Sequence, residues 1–88
     1  MYYTYVLYSH EFDKIYVGYT SNLDARLKSH NELSTKGYTV KFRPWVIAFT
    51  EEFDSKSEAM KREKQLKSSR GRAYIRKKLV ADGLISVS

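Results

Sequence analysis

The chain contains no cysteine. Disulfide staples and thiolate-held zinc are therefore excluded, and an oxidising compartment gives the fold no advantage. No apolar run approaches the ~20 residues that a membrane-spanning helix requires. The opening residues, Met1-Tyr2-Tyr3-Thr4-Tyr5, lack the basic and apolar regions of a secretion signal. A cytoplasmic location, with no membrane partner, is expected. Internal repeats and low-complexity tracts are also missing. At 88 residues one domain is expected, spanning 1–88 with its core over about 2–80, because a chain this short has no surface to bury in a second core.

Acidic residues are scarce in one place. Residues 61–78 hold nine Lys/Arg against a single acid, Glu63, a balance of +8 that leaves the rest of the chain at −2. The net charge of +6 is thus a local feature, and it points to a polyanionic partner. A solvated helix face is the plainer alternative.

Residues 2–9 are dense in aromatic and β-branched types and read as a strand. Ile15-Tyr16-Val17-Gly18-Tyr19 reads as a second, paired with the first in an antiparallel hairpin. Gly18 inside a strand marks a bulge or a close approach by another group. Ser21 or Asn22 caps a helix that should run to about Asn31. Residues 32–44 read as a loop, with Gly37 and Pro44 as breakers. Trp45–Thr50 is mostly apolar and reads as a buried third strand. Ser55-Lys56-Ser57-Glu58 is a capping box opening a helix to about Lys67. Ser68, Ser69 and Gly71 interrupt it, and a third helix should cover Ala73–Val80 and end at Gly83. The order β-β-α-β-α-α gives an α/β (α+β) fold, a three-stranded, mainly antiparallel sheet flanked by helices.

On a helical wheel, Ala59, Met60 and Leu66 form the apolar stripe of the second helix, and Glu63 falls in its middle. A carboxylate there costs several kcal/mol, about 3–5, if unpaired. Arg26 and His30 lie one turn apart on the edge of the first helix's stripe. Each has a modest explanation alone. Glu63 could pair with Arg26 or Lys67, His30 could be a satisfied histidine, and the tyrosines could be strand packing. Together they form the inventory of a phosphodiesterase: a base for water, a cation for phosphate and a carboxylate for a hard metal ion.

The ordered set resembles the GIY-YIG nuclease domain over roughly residues 2–80, with the small stand-alone bacterial type nearest and the nuclease domain of the excinuclease C subunit related. Tyr3-Thr4-Tyr5 stands at the first motif, with Tyr3 for Gly and Thr4 for Ile, and Tyr16-Val17-Gly18 at the second. Tyr19-Thr20-Ser21-Asn22-Leu23 with Arg26 and His30-Asn31 follows, and Glu58–Lys67 matches the acidic helix. The resemblance implies a metal-dependent endonuclease acting on nucleic acid, DNA first, with DNA repair as a setting. It implies Tyr16 as general base, Tyr5 as orienter of water or phosphate, and Arg26 on the phosphate. His30 would take the proton from Tyr16 or assist the leaving group. Glu63 would hold one Mg²⁺ or Mn²⁺. A free phenol ionises only near pH ~10, so a tyrosine base needs cations beside it, Arg26, Lys41 or the metal. Lys41, Lys67, Arg70, Arg72, Arg76 and Lys77 would grip the backbone. Cutting both strands would require a homodimer, rebinding or a larger repair complex. The competing expectations are a non-catalytic nucleic-acid-binding module of the same fold and an interaction domain in which Glu63 pairs with Arg26.

Overall fold

The first strand, β1 (Tyr2–Ser9), is apolar on both faces, and every residue from Thr4 to Ser9 is buried. Such a strand must be flanked on both edges and covered on both faces, because an unpaired buried backbone group is costly. In the computed structural model, described over residues 1–85, that is its place. Strands β2 (Lys14–Thr20) and β3 (Val46–Phe53) pair with it antiparallel, giving the order β2-β1-β3. Helices α1 (Leu23–Lys28), α2 (Lys56–Lys67) and α3 (Ser69–Ala81) complete the expected order.

The period of two along β1 sorts its side chains into two cores. Tyr5 and Leu7 join Trp45 on one face, against Leu23, Leu27 and Phe42. Val6 and Tyr8 join Val17 on the other, against Leu66, Ile75 and Leu79 of α2 and α3. Each large aliphatic side chain buried there contributes about 1.5–3 kcal/mol. The part-exposed Arg62–Glu51 ion pair, at 2.7 Å, belongs to a class worth only ~0.2–1 kcal/mol. The two cores, not the surface charges, hold the sheet. Asp13 closes the β1–β2 hairpin at φ 51°, a conformation that short polar side chains tolerate. It accepts hydrogen bonds from Tyr8 at 2.7 Å and Arg76 at 2.6 Å, clipping the turn to α3.

Three expectations need correction. β3 is an edge strand and not a buried one. Val46 and Ile47 are exposed, while the register steps at Val6/Leu7 and turns Ala48 and Phe49 inward. An apolar run alone does not separate an edge strand from a central one. The first helix does not simply stop near Asn31: it passes into a π turn over Ser29–Leu33, and the stretch 32–44, which reads as a loop, contains a 3₁₀ turn, Tyr38–Phe42. Gly71 does not break the chain. It lies in the first turn of α3, buried, where an added Cβ would overlap the Gln65 carbonyl and the Leu66 backbone. Ser68 ends α2 and caps α3 by accepting from Gly71 N at 3.1 Å. Residues 86–88 of the expected domain lie outside the described residues.

The close helix crossing at Gly71 predicts that Gly71→Ala destabilises the protein. Overpacking against rigid backbone should cost about 1–3 kcal/mol, lowering Tm by roughly 4 °C or more in a domain of this size. Thermal melts of parent and variant check this; an unchanged Tm would mean that the two helices separate freely.

Candidate active site

Tyr5 stands opposite Gly18 in the β1–β2 register. A Cβ at position 18 would lie 2.5 Å from the Tyr5 hydroxyl and 2.6 Å from Cζ. The glycine is needed because the Tyr5 phenol occupies the space a side chain would fill. The close approach expected at this position thus has a named cause, and the register step lies elsewhere, between β1 and β3.

Crossing Gly18 brings the Tyr5 hydroxyl to Nε2 of His30, at 2.8 Å. The other ring nitrogen, Nδ1, lies 3.0 Å from the Thr39 hydroxyl. Burial pushes the Tyr5 phenol up to about 12, with the Tyr16 charge adding and Arg26 opposing. Burial also pulls His30 below the ordinary histidine value, and the cations Arg26 and Arg43 act in the same direction. Both groups are therefore neutral near pH 7. The Tyr16 ring packs 4.8 Å from the His30 ring and 6.4 Å from that of Tyr5.

The π turn carrying His30 leaves carbonyls that the helix itself does not satisfy. Arg43 donates to His30 O and Ser34 O, each at 2.6 Å. Asn31 clamps the strand entry through both ends of its amide: it donates to Trp45 O at 2.9 Å and accepts from Trp45 N at 2.6 Å. Long-range side-chain bonds thus fix His30 in position.

A cleft of about 410 Å³ opens at the β2 edge, lined by Tyr5, Tyr16, Gly18, Arg26, Lys56 and Glu63 among others. Arg26 comes from α1 on one face of the sheet and Glu63 from α2 on the other. Glu63 is the sole carboxylate of the lining. It follows Ala59 and precedes Leu66 on the packed side of α2, with its side chain 18% exposed. Its ion-pair partner is Lys67, at 3.6 Å; Arg26 forms no ion pair among the described residues. No three His, Asp or Glu side chains gather among those residues either.

Four of the five expected site residues thus share one cleft. The fifth, His30, stands behind it, lining an adjoining hollow with Tyr16, Arg26, Tyr38 and Thr39. Lys67 and Arg72 line a further hollow beside Tyr16 and Tyr38. Lys41 sits in the 3₁₀ turn and Arg76 is engaged with Asp13. Arg70 and Lys77 are exposed along α3, away from the cleft lining. Sequence reasoning missed Lys56, Thr39 and Arg43. Lys56 lies seven residues before Glu63, two turns along one helix face, a spacing that would have found it. Thr39 and Arg43 carry no such local signal.

Residues 1–78 match the family described as GIY-YIG catalytic domain. The chain belongs to the GIY-YIG family. It is 42% identical to a UPF0213 protein of Natronomonas pharaonis over 81 residues, 91% of each chain. It is 45% identical to a UPF0213 protein of Staphylococcus haemolyticus over 56 residues, 64% of this chain and 68% of the relative. The solution NMR structure of the UPF0213 protein BH0048 from Bacillus halodurans is similar with a TM-score of 0.50 at 33% identity, over 85% of this chain and 82% of that one. Within this GIY-YIG chain, one departure in the first motif, Thr4, has a structural account. Thr4 faces away from the cleft, and its hydroxyl donates to the Ala59 carbonyl at 2.8 Å, tying the sheet to α2. Of the three residues in that motif, only Tyr5 lines the cleft.

His30 makes stability pH-dependent. Its folded value lies below 6.5, so on acidification the unfolded chain takes up the proton first. Its contribution is complete above the unfolded value and is lost as pH falls from there through the folded value. Tm should fall between about pH 7.5 and about pH 5.5, and His30→Gln should flatten that slope. Equal slopes would contradict a buried neutral ring.

Proposed function

We propose that this GIY-YIG chain is a metal-dependent endonuclease that hydrolyses a phosphodiester bond of nucleic acid, DNA first. The observation that carries the proposal is that Tyr5, Tyr16, Arg26 and Glu63, far apart in sequence, line one cleft.

Glu63 suits a hard divalent ion. Its carboxylate is held largely within packed structure, yet its partner Lys67, at 3.6 Å, is beyond a good hydrogen bond. One protein carboxylate, completed by waters and substrate oxygens, is a familiar arrangement for magnesium, whereas zinc would call for three or four protein ligands. Glu63 would therefore hold the Mg²⁺ or Mn²⁺ which, when bound, supplies Lewis-acid stabilisation of the phosphate oxygens.

The remaining steps belong to the chain's own groups. The Arg26 guanidinium offers paired N–H donors to the scissile phosphate, and Lys56 adds positive charge in the same cleft. Tyr5, neutral and anchored on His30, orients a phosphate oxygen or the attacking water. Tyr16, acting as its phenolate, takes the water's proton while the bond from phosphorus to the leaving oxygen breaks, and that oxygen takes a proton from solvent. His30 is bonded to Tyr5 and Thr39 rather than to Tyr16, so this reading gives it the task of holding Tyr5. Lys67 and Arg72, beside Tyr16, extend the positive track along the backbone, and binding should weaken as salt rises.

Purified protein with Mg²⁺ or Mn²⁺ should nick members of a panel of DNA and RNA substrates. Tyr16→Phe should lose ~10²–10⁴-fold in rate, the range for a positioned general base, and Glu63→Ala at least as much, with salt-dependent binding retained. A parent that binds but never cleaves would support the binding-module alternative. A Glu63→Ala variant that cleaves like the parent would remove Glu63 from the chemistry.

A further inference from the structure

One aromatic ring of the basic segment lies outside both cores and outside the cleft. Tyr74 is 45% exposed. Its place is nevertheless fixed: the ring meets Phe49 of β3 edge to face at 6.2 Å, and the Arg62 guanidinium stands 5.5 Å from its centroid. Arg62 is in turn held by Glu51 of β3. Tyr74 lines two hollows, one of about 700 Å³ with Arg62, Lys64 and Arg70, the other of about 450 Å³ with Lys77, Lys78 and Ala81. Neither lining contains a carboxylate. Arg62 and Lys78 have acid partners, Glu51 and Asp82. Lys64, Arg70 and Lys77 are exposed and form no ion pair among the described residues.

Spacing along α3 orders these groups. Residues three or four apart share a helix face, so Arg70 lies one turn before Tyr74 and Lys77 one turn after, about 10 Å apart along the axis. An exposed ring between unpaired cations suits one class of ligand: a base stacks on the aromatic face while the cations take the flanking phosphates. A duplex keeps its bases stacked inside, so only an unpaired base reaches the ring. The place is also separate from the cleft. The cleft opens at the β2 edge, whereas Tyr74 and Arg62 lean on β3, at the other edge of the order β2-β1-β3. Two strand spacings, ~10 Å, lie between those edges. No residue lines both the cleft and either hollow. We propose that Tyr74, with Lys64, Arg70 and Lys77, forms a second nucleic-acid site, one that binds a single-stranded segment by stacking a base. The site goes beyond the nuclease reading, since it needs neither metal nor cleavage.

Fluorescence anisotropy of a labelled oligothymidine, with EDTA present, tests the site. Tyr74→Ala should bind about 5–150-fold more weakly, the range for loss of one stacked base, whereas Tyr74→Phe should keep the parent's affinity. Arg70→Gln combined with Lys77→Gln should lower the salt dependence. An abasic oligomer of equal length keeps the phosphates and offers no base, so Tyr74→Ala should leave its binding unchanged. A folded Tyr74→Ala protein that binds oligothymidine like the parent, or that loses the abasic oligomer equally, overturns the proposal. So does polyglutamate that displaces the oligomer equally well at equal charge, which would make this a surface for acidic proteins. If Tyr74→Ala does not fold, the parent's amide shifts decide. On titration with oligothymidine they should change in residues 70–78; changes confined to the cleft overturn the site. Cleavage is read separately. A parent that binds through Tyr74 yet never cuts keeps this site and loses the nuclease reading, and one that cuts without Tyr74-dependent binding does the reverse.

Discussion

The site depends on one steric fact: the Tyr5 phenol lies across the bare backbone of Gly18. From that position its hydroxyl reaches His30, and its ring walls the cleft next to Tyr16. Any larger residue at position 18 would push Tyr5 away or part β1 from β2. The same antiparallel register that places Tyr5 over Gly18 turns Thr4 to the opposite face, where it ties α2 to the sheet. Geometry in the first core and attachment of the second therefore share a single strand.

The placement of the cleft at the β2 edge follows from this two-sided packing. A central strand has neighbours on both sides, and a helix on one face has no access to the other. Only at an edge do Arg26, from one face, and Glu63, from the other, meet in one space. Two helices on separate cores supply opposite charges to one cleft because the strand between them ends the sheet. The clamps made by Arg43 and Asn31 hold the segment bearing His30, alongside the Ser34 N–H that donates to Ser29 O at 2.9 Å and closes its π turn.

Much of this was legible in the residues. Alternating aromatic and β-branched types marked β1, the capping box marked α2, and Glu63 betrayed itself as a charge inside an apolar stripe. The lone glycine at position 18 announced a close approach, although not by what. The gaps have a common physical origin. Thr39 and Arg43 act through partners nine to fourteen residues away, in a stretch whose pattern says only loop. Val46 and Ile47 look like core because an apolar run carries no record of which edge it occupies. Gly71 looks like a break because a glycine required by a close helix crossing and one that ends a helix are the same letter.

The polar groups around the cleft divide by how well they are partnered. Tyr5, His30 and Thr39 are buried, and each functional atom has a hydrogen-bond partner within 3.0 Å. A network satisfied in that way is rigid, so it serves as a frame. Glu63 and Arg26 are different. One lies against packed structure with only a long contact to Lys67, and the other stands at the cleft with no ion pair among the described residues. If stability alone had shaped this region, a stripe occupied by Ala59 and Leu66 would carry another apolar residue at position 63, since a poorly paired half-buried carboxylate weakens a fold. The frame is fully hydrogen-bonded, whereas Glu63, with its long contact to Lys67, and Arg26 line the cleft beside it. That asymmetry is what a site acting on a charged substrate requires: fixed donors and acceptors behind, and charge held ready in front.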